Sequence, residues 1–182
     1  GSNKPNTSQK YLISDEGNMC LKSVTYIPSF IKIFDEVVTN AVDEHQRNKG
    51  LNKIDISLDI ENNTISVKDN GGIVVEIHKE YNQYVPEVIF GNLMSGSNYD
   101  DTDQRTVAGL NGLGAKLTNV FSTEFLISTS DGKNNFSQKF SNNMRDRDKA
   151  KVKACTKKFT EIKWRPDLTQ FGIEKIDHDH FK

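Results

Sequence analysis

Along most of the chain the apolar residues recur with one of two periods, and each change of period marks a new element. From Pro28 to Arg47 (PSFIKIFDEVVTNAVDEHQR) the residues Phe30, Ile33, Phe34, Val37, Val38, Ala41 and Val42 fall on one wide arc. At about 100° per residue this predicts an amphipathic helix, with Pro28 suited to its first turn. After Gly50 the period becomes two: Ile54, Ile56, Leu58 and Ile60 alternate with polar residues, Glu61 to Asn63 turn the chain, and Ile65 and Val67 alternate again. A β-hairpin with one buried face is expected there. It ends in Asp69-Asn70-Gly71-Gly72, a turn whose glycines let the backbone approach a ligand closely.

Tyr84 to Met94 predicts a second helix, with Val85, Val88, Ile89 and Leu93 as its apolar face, and Ala115 to Phe121 a short third one. Thr123 to Thr129, Phe136 to Phe140 and Lys158 to Arg165 read as strands, the first two joined by a turn containing Asp131-Gly132. Residues 141 to 153 read as a charged loop, and Ser23 to Ile27 alternates only briefly. Residues 3 to 19 are polar, contain Pro5 and Gly17, and receive no element. The expected organisation is therefore a flexible N-terminal arm over 1–20, in which Gly1 and Ser2 read as an expression scar, and one folded domain over 21–182. Helices on one side of an antiparallel sheet with a single apolar face make an α+β, two-layer sandwich.

Composition narrows this picture. At 182 residues, 35% hydrophobic and 27% charged, the chain suits one domain large enough to bury a core. A formal net charge of -1 argues against a wholly basic surface for nucleic acid, though a local patch can hide in that sum. DNA contact is expected on other parts of a larger protein. Cys20 and Cys155 form no CxxC pair, and His45, His78, His178 and His180 match no ligand spacing and read as surface residues. This suggests neither a zinc site nor a disulfide scaffold and makes a reducing compartment the default. No stretch approaches 18 apolar residues and no signal segment is present, so the expectation is an intracellular protein with no membrane association.

Two stretches carry candidate chemistry. On the first helix, Glu36, Asn40 and Asp43 form a stripe at i, i+4 and i+7 beside the apolar arc. One reading is a solvated face. The other is a site, with Glu36 as general base and Asn40 as a neutral oxygen ligand for a hard cation such as Mg²⁺. The second stretch, Ser95 to Gly114 (SGSNYDDTDQRTVAGLNGLG), is a long polar loop of the functional kind. Gly109, Gly112 and Gly114 lead straight into a helix N-terminus, a combination that binds anions. It is neither a Walker A loop, because Gly114 is followed by Ala115 and Lys116, nor a Rossmann fingerprint, because YDDTDQRTV before it is no strand.

The order of the pieces is more specific than any one of them: a helix with Glu-x-x-x-Asn, a strand ending in Asp-x-Gly, then a glycine-rich lid running into a helix. This resembles the GHKL ATPases, the group of gyrase, heat-shock chaperones, mismatch-repair ATPases and sensor histidine kinases. FDEVVTNAVDE, VPEVIFGNLMSGSNYDD, GLNGLGAKLTNVFSTEF and WRPDLTQFG are, within that group, similar to the ATPase domain of type II DNA topoisomerases of the eukaryotic and viral branch. The resemblance runs from about Leu21 to Phe181.

It implies the GHKL (Bergerat) ATP-binding fold, with ATP and Mg²⁺ as cofactors. Glu36 would be the general base, Asn40 the Mg²⁺ ligand and Asp69 the reader of the adenine amino group, a contact guanine cannot satisfy. Thr160 would support Asp69, unless it is an ordinary strand threonine. Gly96, Ser97 and Asn98 would lie at the ribose and phosphates. Gly109, Leu110, Asn111, Gly112, Leu113, Gly114, Ala115 and Lys116 would form the phosphate lid, with Lys116 either pairing with phosphate or lying at the surface. Asp43 would anchor neighbouring backbone.

The turn Asp69-Asn70-Gly71-Gly72-Ile73-Val74 is one residue shorter than the family's and lacks its proline. Leu110 and Leu113 stand where the eukaryotic pattern has arginine and tyrosine. The family further implies an ATP-dependent homodimer closed by an exchanged N-terminal arm, DNA bound through other domains, a following transducer domain that this sequence does not reach, and a site in cytoplasm, nucleus or, if viral, the host cell. The competing expectations are a nucleotide-gated interaction module without useful hydrolysis and, less well matched, a sensor histidine kinase.

Overall fold

A computed structural model describes residues 2–47, 50–92, 112–177 and 181. The chain opens with a two-stranded hairpin, β1 (Asn6–Ile13) and β2 (Met19–Tyr26), paired from Asn6 with Tyr26 to Ile13 with Met19. The sequence assigns most of it no element, because only Leu12 among its large apolar residues is buried, while Tyr11, Ile13, Met19 and Leu21 are all exposed. Helix α1 (Pro28–Arg47) has the expected bounds.

The strands β3 (Ile54–Asp59) and β4 (Thr64–Asp69) form the predicted hairpin. A short pair follows, β5 (Ile77–His78) with β6 (Gln83–Tyr84), and then α2 (Val85–Gly91), shorter than expected because Tyr84 is held in the pair and Asn92 is extended. The rest comprises α3 (Gly112–Val120), β7 (Ser122–Asp131), β8 (Asn134–Ser141), β9 (Asp146–Arg147), β10 (Lys151–Ala154), β11 (Lys158–Pro166) and α4 (Leu168–Phe171).

Among the described residues the main sheet runs β10-β8-β7-β11-β4-β3 with β9 attached to β8, and all of its pairings are antiparallel. Register stacks the core on one face. Ile162 lies between Val67 and Ile127, Trp164 between Ile65 and Phe125, and Phe125 opposite Phe140. Against that layer sit Phe30, Ile33, Val37 and Ala41 of α1, Phe90 of α2 and Ala115 of α3, all buried. The α+β two-layer sandwich is therefore present.

Two expectations are corrected. The charged stretch 141–153 contains β9 and part of β10, whose lysines conceal the alternation of an exposed edge strand. In β3, Ile56 is 46% exposed, because β3 is the other edge and, of the hairpin's two strands, β4 alone lies between two neighbours.

The helical layer is fastened by buried side chains of α3. Thr118 donates its hydroxyl to the carbonyl of Ile33 in α1 at 2.8 Å, and Asn119 donates to the carbonyl of Phe90 in α2 at 3.0 Å. Phe125→Ala, at a site of 0% exposure, is expected to destabilise the protein by about 3–5 kcal/mol, and Thr118→Val by about 1 kcal/mol. Urea unfolding with unchanged slope checks both, and similar losses in the two variants would show that the apolar layer is not what dominates stability.

Candidate functional site

Glu36 lies on the flank of α1, and its side chain is 23% exposed. Lys32, one turn earlier, approaches its Oε1 at 2.6 Å, and that hydrogen bond and charge raise the Lys32 pKa. The decisive contact is on the other side. A Cβ built on Gly114 would fall 1.8 Å from Glu36 Oε2 and 2.5 Å from its carboxyl carbon, so the carboxylate occupies the space where any other residue would have a side chain. Gly114 is in the opening turn of α3, where backbone N–H groups lack intrahelical partners. Partial burial pushes the carboxyl of neighbouring Asp35 up, with Lys32 opposing and Glu36 adding to the shift.

Asn40 and Asp43, on the turns beyond Glu36, are half-buried. Lys116 is 6% exposed, which settles its sequence alternatives against a surface position, and burial lowers its pKa. Among the described residues it has no ion-pair partner. The methyl group of Ala115 is in the core, leaving its backbone for any ligand. Gly112 and Leu113 belong to the first turn of α3. Gly96, Ser97, Asn98, Gly109, Leu110 and Asn111 lie outside the described residues, as do His178 and His180. His78, expected at the surface, is instead half-buried and stacks on Tyr81 at 5.0 Å between centroids.

The second centre is the end of β4. Asp69 is paired across the sheet with Thr160, and its Oδ1 accepts the N–H of Gly71 at 2.8 Å. Thr160 donates to the carbonyl of Gly71 at 3.2 Å and lies 2.8 Å from the hydroxyl of Thr129. Thr129 in turn accepts the N–H of Ile73 at 3.0 Å. Two threonines on adjacent strands thus pin the turn on both sides of Gly72.

The glycines have a role within the fold: a Cβ on Gly72 would meet the Ser130 carbonyl oxygen at 1.9 Å, and one on Gly71 would meet Leu51 at 2.6 Å. Asp131 completes the support. Its carboxylate accepts N–H groups from Asn134, Lys133 and Val75, and these bonds, that of Asn134 first, hold its pKa low against the opposing effect of burial.

Thr129 and Asp131 were missed by sequence reasoning. Their signal is positional, since Thr129 becomes Thr160's neighbour only once the β7–β11 register is known. The structure places Glu36 with Gly114 and Asp69 with Thr160, and α1 packs on both α3 and β4, joining the two centres.

The chain was compared with known proteins. The family described as histidine kinase-, DNA gyrase B-, and HSP90-like ATPase matches residues 26–159. DNA topoisomerase 2 of Arabidopsis thaliana is 42% identical over 94% of this chain, and that of Acanthamoeba polyphaga mimivirus 43% over 91%. The chain spans 12% and 13% of those relatives' lengths. Among solved structures, the ATPase region of Saccharomyces cerevisiae topoisomerase II superposes with a TM-score of 0.87 at 39% identity, over 99% of this chain and 49% of that one. The 43K ATPase domain of Thermus thermophilus gyrase B, in complex with an aminocoumarin, gives 0.61 at 25% identity, over 81% of this chain and 36% of that one. A helix seam built on a carboxylate and a glycine, a pinned Asp-x-Gly turn and these matches lead to one statement: the chain belongs to the histidine kinase-, DNA gyrase B- and HSP90-like (GHKL) ATPase family and is homologous to the ATPase region of type II topoisomerases.

Proposed function

We propose that this chain binds Mg²⁺-ATP and hydrolyses it as the ATPase region of a type II DNA topoisomerase. The observation that carries this reading is the Glu36 carboxylate seated against Gly114 at the opening turn of α3. A base that accepts a proton from water and amides that receive developing negative charge are the two groups phosphoryl transfer requires, and here they adjoin. Lys32 keeps one carboxylate oxygen oriented, so Oε2 is the oxygen directed at the α3 turn.

Asn40 fits a magnesium ion by its chemistry. Mg²⁺ retains several waters and takes few protein oxygens, and among the described residues no group of three His, Cys, Asp or Glu side chains competes for that role. The amide oxygen of Asn40, one helical turn from Glu36, would hold the ion, which when bound offsets charge on the triphosphate. Asp69 accepts the adenine amino group, with Thr160 and Thr129 fixing the turn it stands on. Ser97 and Asn98 meet the ribose and phosphates. Gly109 to Lys116 receive the β and γ phosphates, with the Lys116 ammonium as counter-charge.

Beyond this site, the reading includes DNA engaged by the longer protein, an intracellular setting, and ATP-dependent pairing of two copies. Residues 1–20 would act as the exchanged arm. The exposed Tyr11, Ile13, Met19 and Leu21 support that role, since Tyr11 pairs with Leu21 and Ile13 with Met19, placing all four on one face of the hairpin.

Glu36→Gln is expected to retain ATP affinity in calorimetry and to lose roughly 10²–10⁴-fold in phosphate release. Unchanged release would remove Glu36 from the role of base; background release in the unsubstituted chain, with binding intact, would favour a module that only binds.

Asp69→Ala is expected to weaken ATP binding by about 1.5–3 kcal/mol, roughly ten- to a hundredfold, the worth of a charged hydrogen bond. Wild-type affinity in that variant would overturn the adenine assignment.

Lys116→Met links site and stability. Because burial lowers the folded-state pKa of Lys116 below its ordinary 10.5, the unfolded chain binds more protons in the interval between the two values. The unliganded protein should therefore gain stability as pH rises through that interval. The methionine variant should lose that pH dependence, melt higher without ligand at neutral pH and bind ATP more weakly. Melting curves across pH, with and without nucleotide, decide it; an unchanged pH profile would show that Lys116 is not held as a buried cation.

A further inference from the structure

The basic residues are unevenly placed. Residues 145–158 hold seven Arg and Lys against two Asp, a net charge of +5, so the other residues together carry -6 toward the formal total of -1. The fold concentrates these lysines further. β10 is the outer strand of the sheet and all four of its residues are exposed. Lys151 and Lys153 share the face opposite Val152, whose partner in register, Phe136, is in the core.

The N–H of Cys155 bonds the carbonyl of Lys133 at 2.9 Å, drawing the β10–β11 connection across the β7–β8 turn. The Lys158 side chain lies over Gly132, where an added Cβ would meet its Cγ at 3.2 Å. Lys133, Lys149, Lys151, Lys153, Lys157 and Lys158 thus line one edge of the sheet and its adjoining corner, all of them exposed. Among the described residues none of the six is in an ion pair. Asp131, the acid of that corner, already accepts three backbone N–H groups.

Lysines on an edge strand also guard against pairing with another sheet. That accounts for Lys151 and Lys153, but not for Lys133, Lys157 and Lys158, which stand off the edge. The surface is poor in anchors for a lipid interface, Val152 being the one large hydrophobic exposed between residues 131 and 158. Lys151 and Lys153 stand two residues apart on β10, roughly 7 Å along extended chain, close to two steps of a duplex strand at about 3.4 Å each.

We propose that this corner docks the phosphate backbone of duplex DNA, without regard to base sequence. It is a contact made by this chain itself and does not depend on the nucleotide site. The test is fluorescence anisotropy of a labelled mixed-sequence duplex with the chain between about 50 and 200 mM salt. With about four phosphates neutralised, affinity should fall roughly a hundredfold over that range. Replacing Lys133, Lys151, Lys153 and Lys157 together by Ala should lower affinity at least about tenfold at the low-salt end and remove most of the salt dependence, while ATP affinity and melting temperature stay unchanged.

If that variant does not fold, Lys151→Gln with Lys153→Gln, confined to the exposed edge, should give about half the change in slope. The proposal fails if the unsubstituted chain does not bind the duplex at low salt, or if a folded variant binds it with the same salt slope. It fails equally if phosphatidylserine vesicles bind more tightly than DNA through the same lysines.

Discussion

The distance between α1 and α3 is set by one contact, the carboxylate of Glu36 lying where a side chain on residue 114 would have to be. Only glycine permits it. Any Cβ there would force either the carboxylate off the α3 turn or the helices apart, and the helices are not free to part: Thr118 ties α3 to α1 and Asn119 ties it to α2 through buried hydrogen bonds. The position of the acid is thereby fixed by packing rather than by its own rotamer preferences, as the proposed role of orienting a water would require. The core beneath follows from the same seam, since Phe30, Ile33, Val37 and Ala41 face the sheet only when the Glu36 flank of α1 faces α3.

The end of β4 uses glycine differently. Gly72 stands against the backbone of Ser130 and Gly71 against Leu51, so neither position has room for a side chain. Their small size brings the turn close enough to β7 and β11 for Thr129 and Thr160 to hold it from two strands at once. This bears on the shortened turn and missing proline. Rigidity that a proline would supply by fixing φ comes here from Asp131, which grips the N–H of Val75, and from Thr129, which grips that of Ile73.

Much of this was legible in the residues. Helix α1 was readable from end to end because its apolar arc is wide and its entry is marked by Pro28, and β4, β7, β8 and β11 because each alternates over a buried face. Legibility failed where burial was absent or non-local. The hairpin of β1 and β2 and the strand β10 have exposed side chains on both faces or nearly so, which removes the periodic signal while leaving the backbone pairing intact. At the candidate site, the places of Glu36 and Asn40 along α1 and of Asp69 at the end of β4 were readable from local spacing. Thr129 and Asp131 were not, because their roles arise from register and from a turn 56 residues away in sequence. Lys116 shows the limit most clearly: lysines are rarely buried, so spacing alone left its side chain's place open.

The two ends of the site also differ in how completely they are satisfied. Around Asp69 the hydroxyls of Thr129 and Thr160, and the amides of Gly71, Ile73 and Val75, all have partners without any ligand. Around α3 the reverse holds: Lys116 is buried and outside any ion pair of the described residues. A satisfied end costs little to bind because its groups are already ordered, whereas an anion placed beside a buried lysine would relieve the cost of burying its charge. On the proposed reading, the base would meet a surface already formed and the phosphates would meet the end that holds Lys116. A ligand spanning both ends, as proposed, would couple its phosphates, rather than its base, to the packing of α3 against α1 and α2.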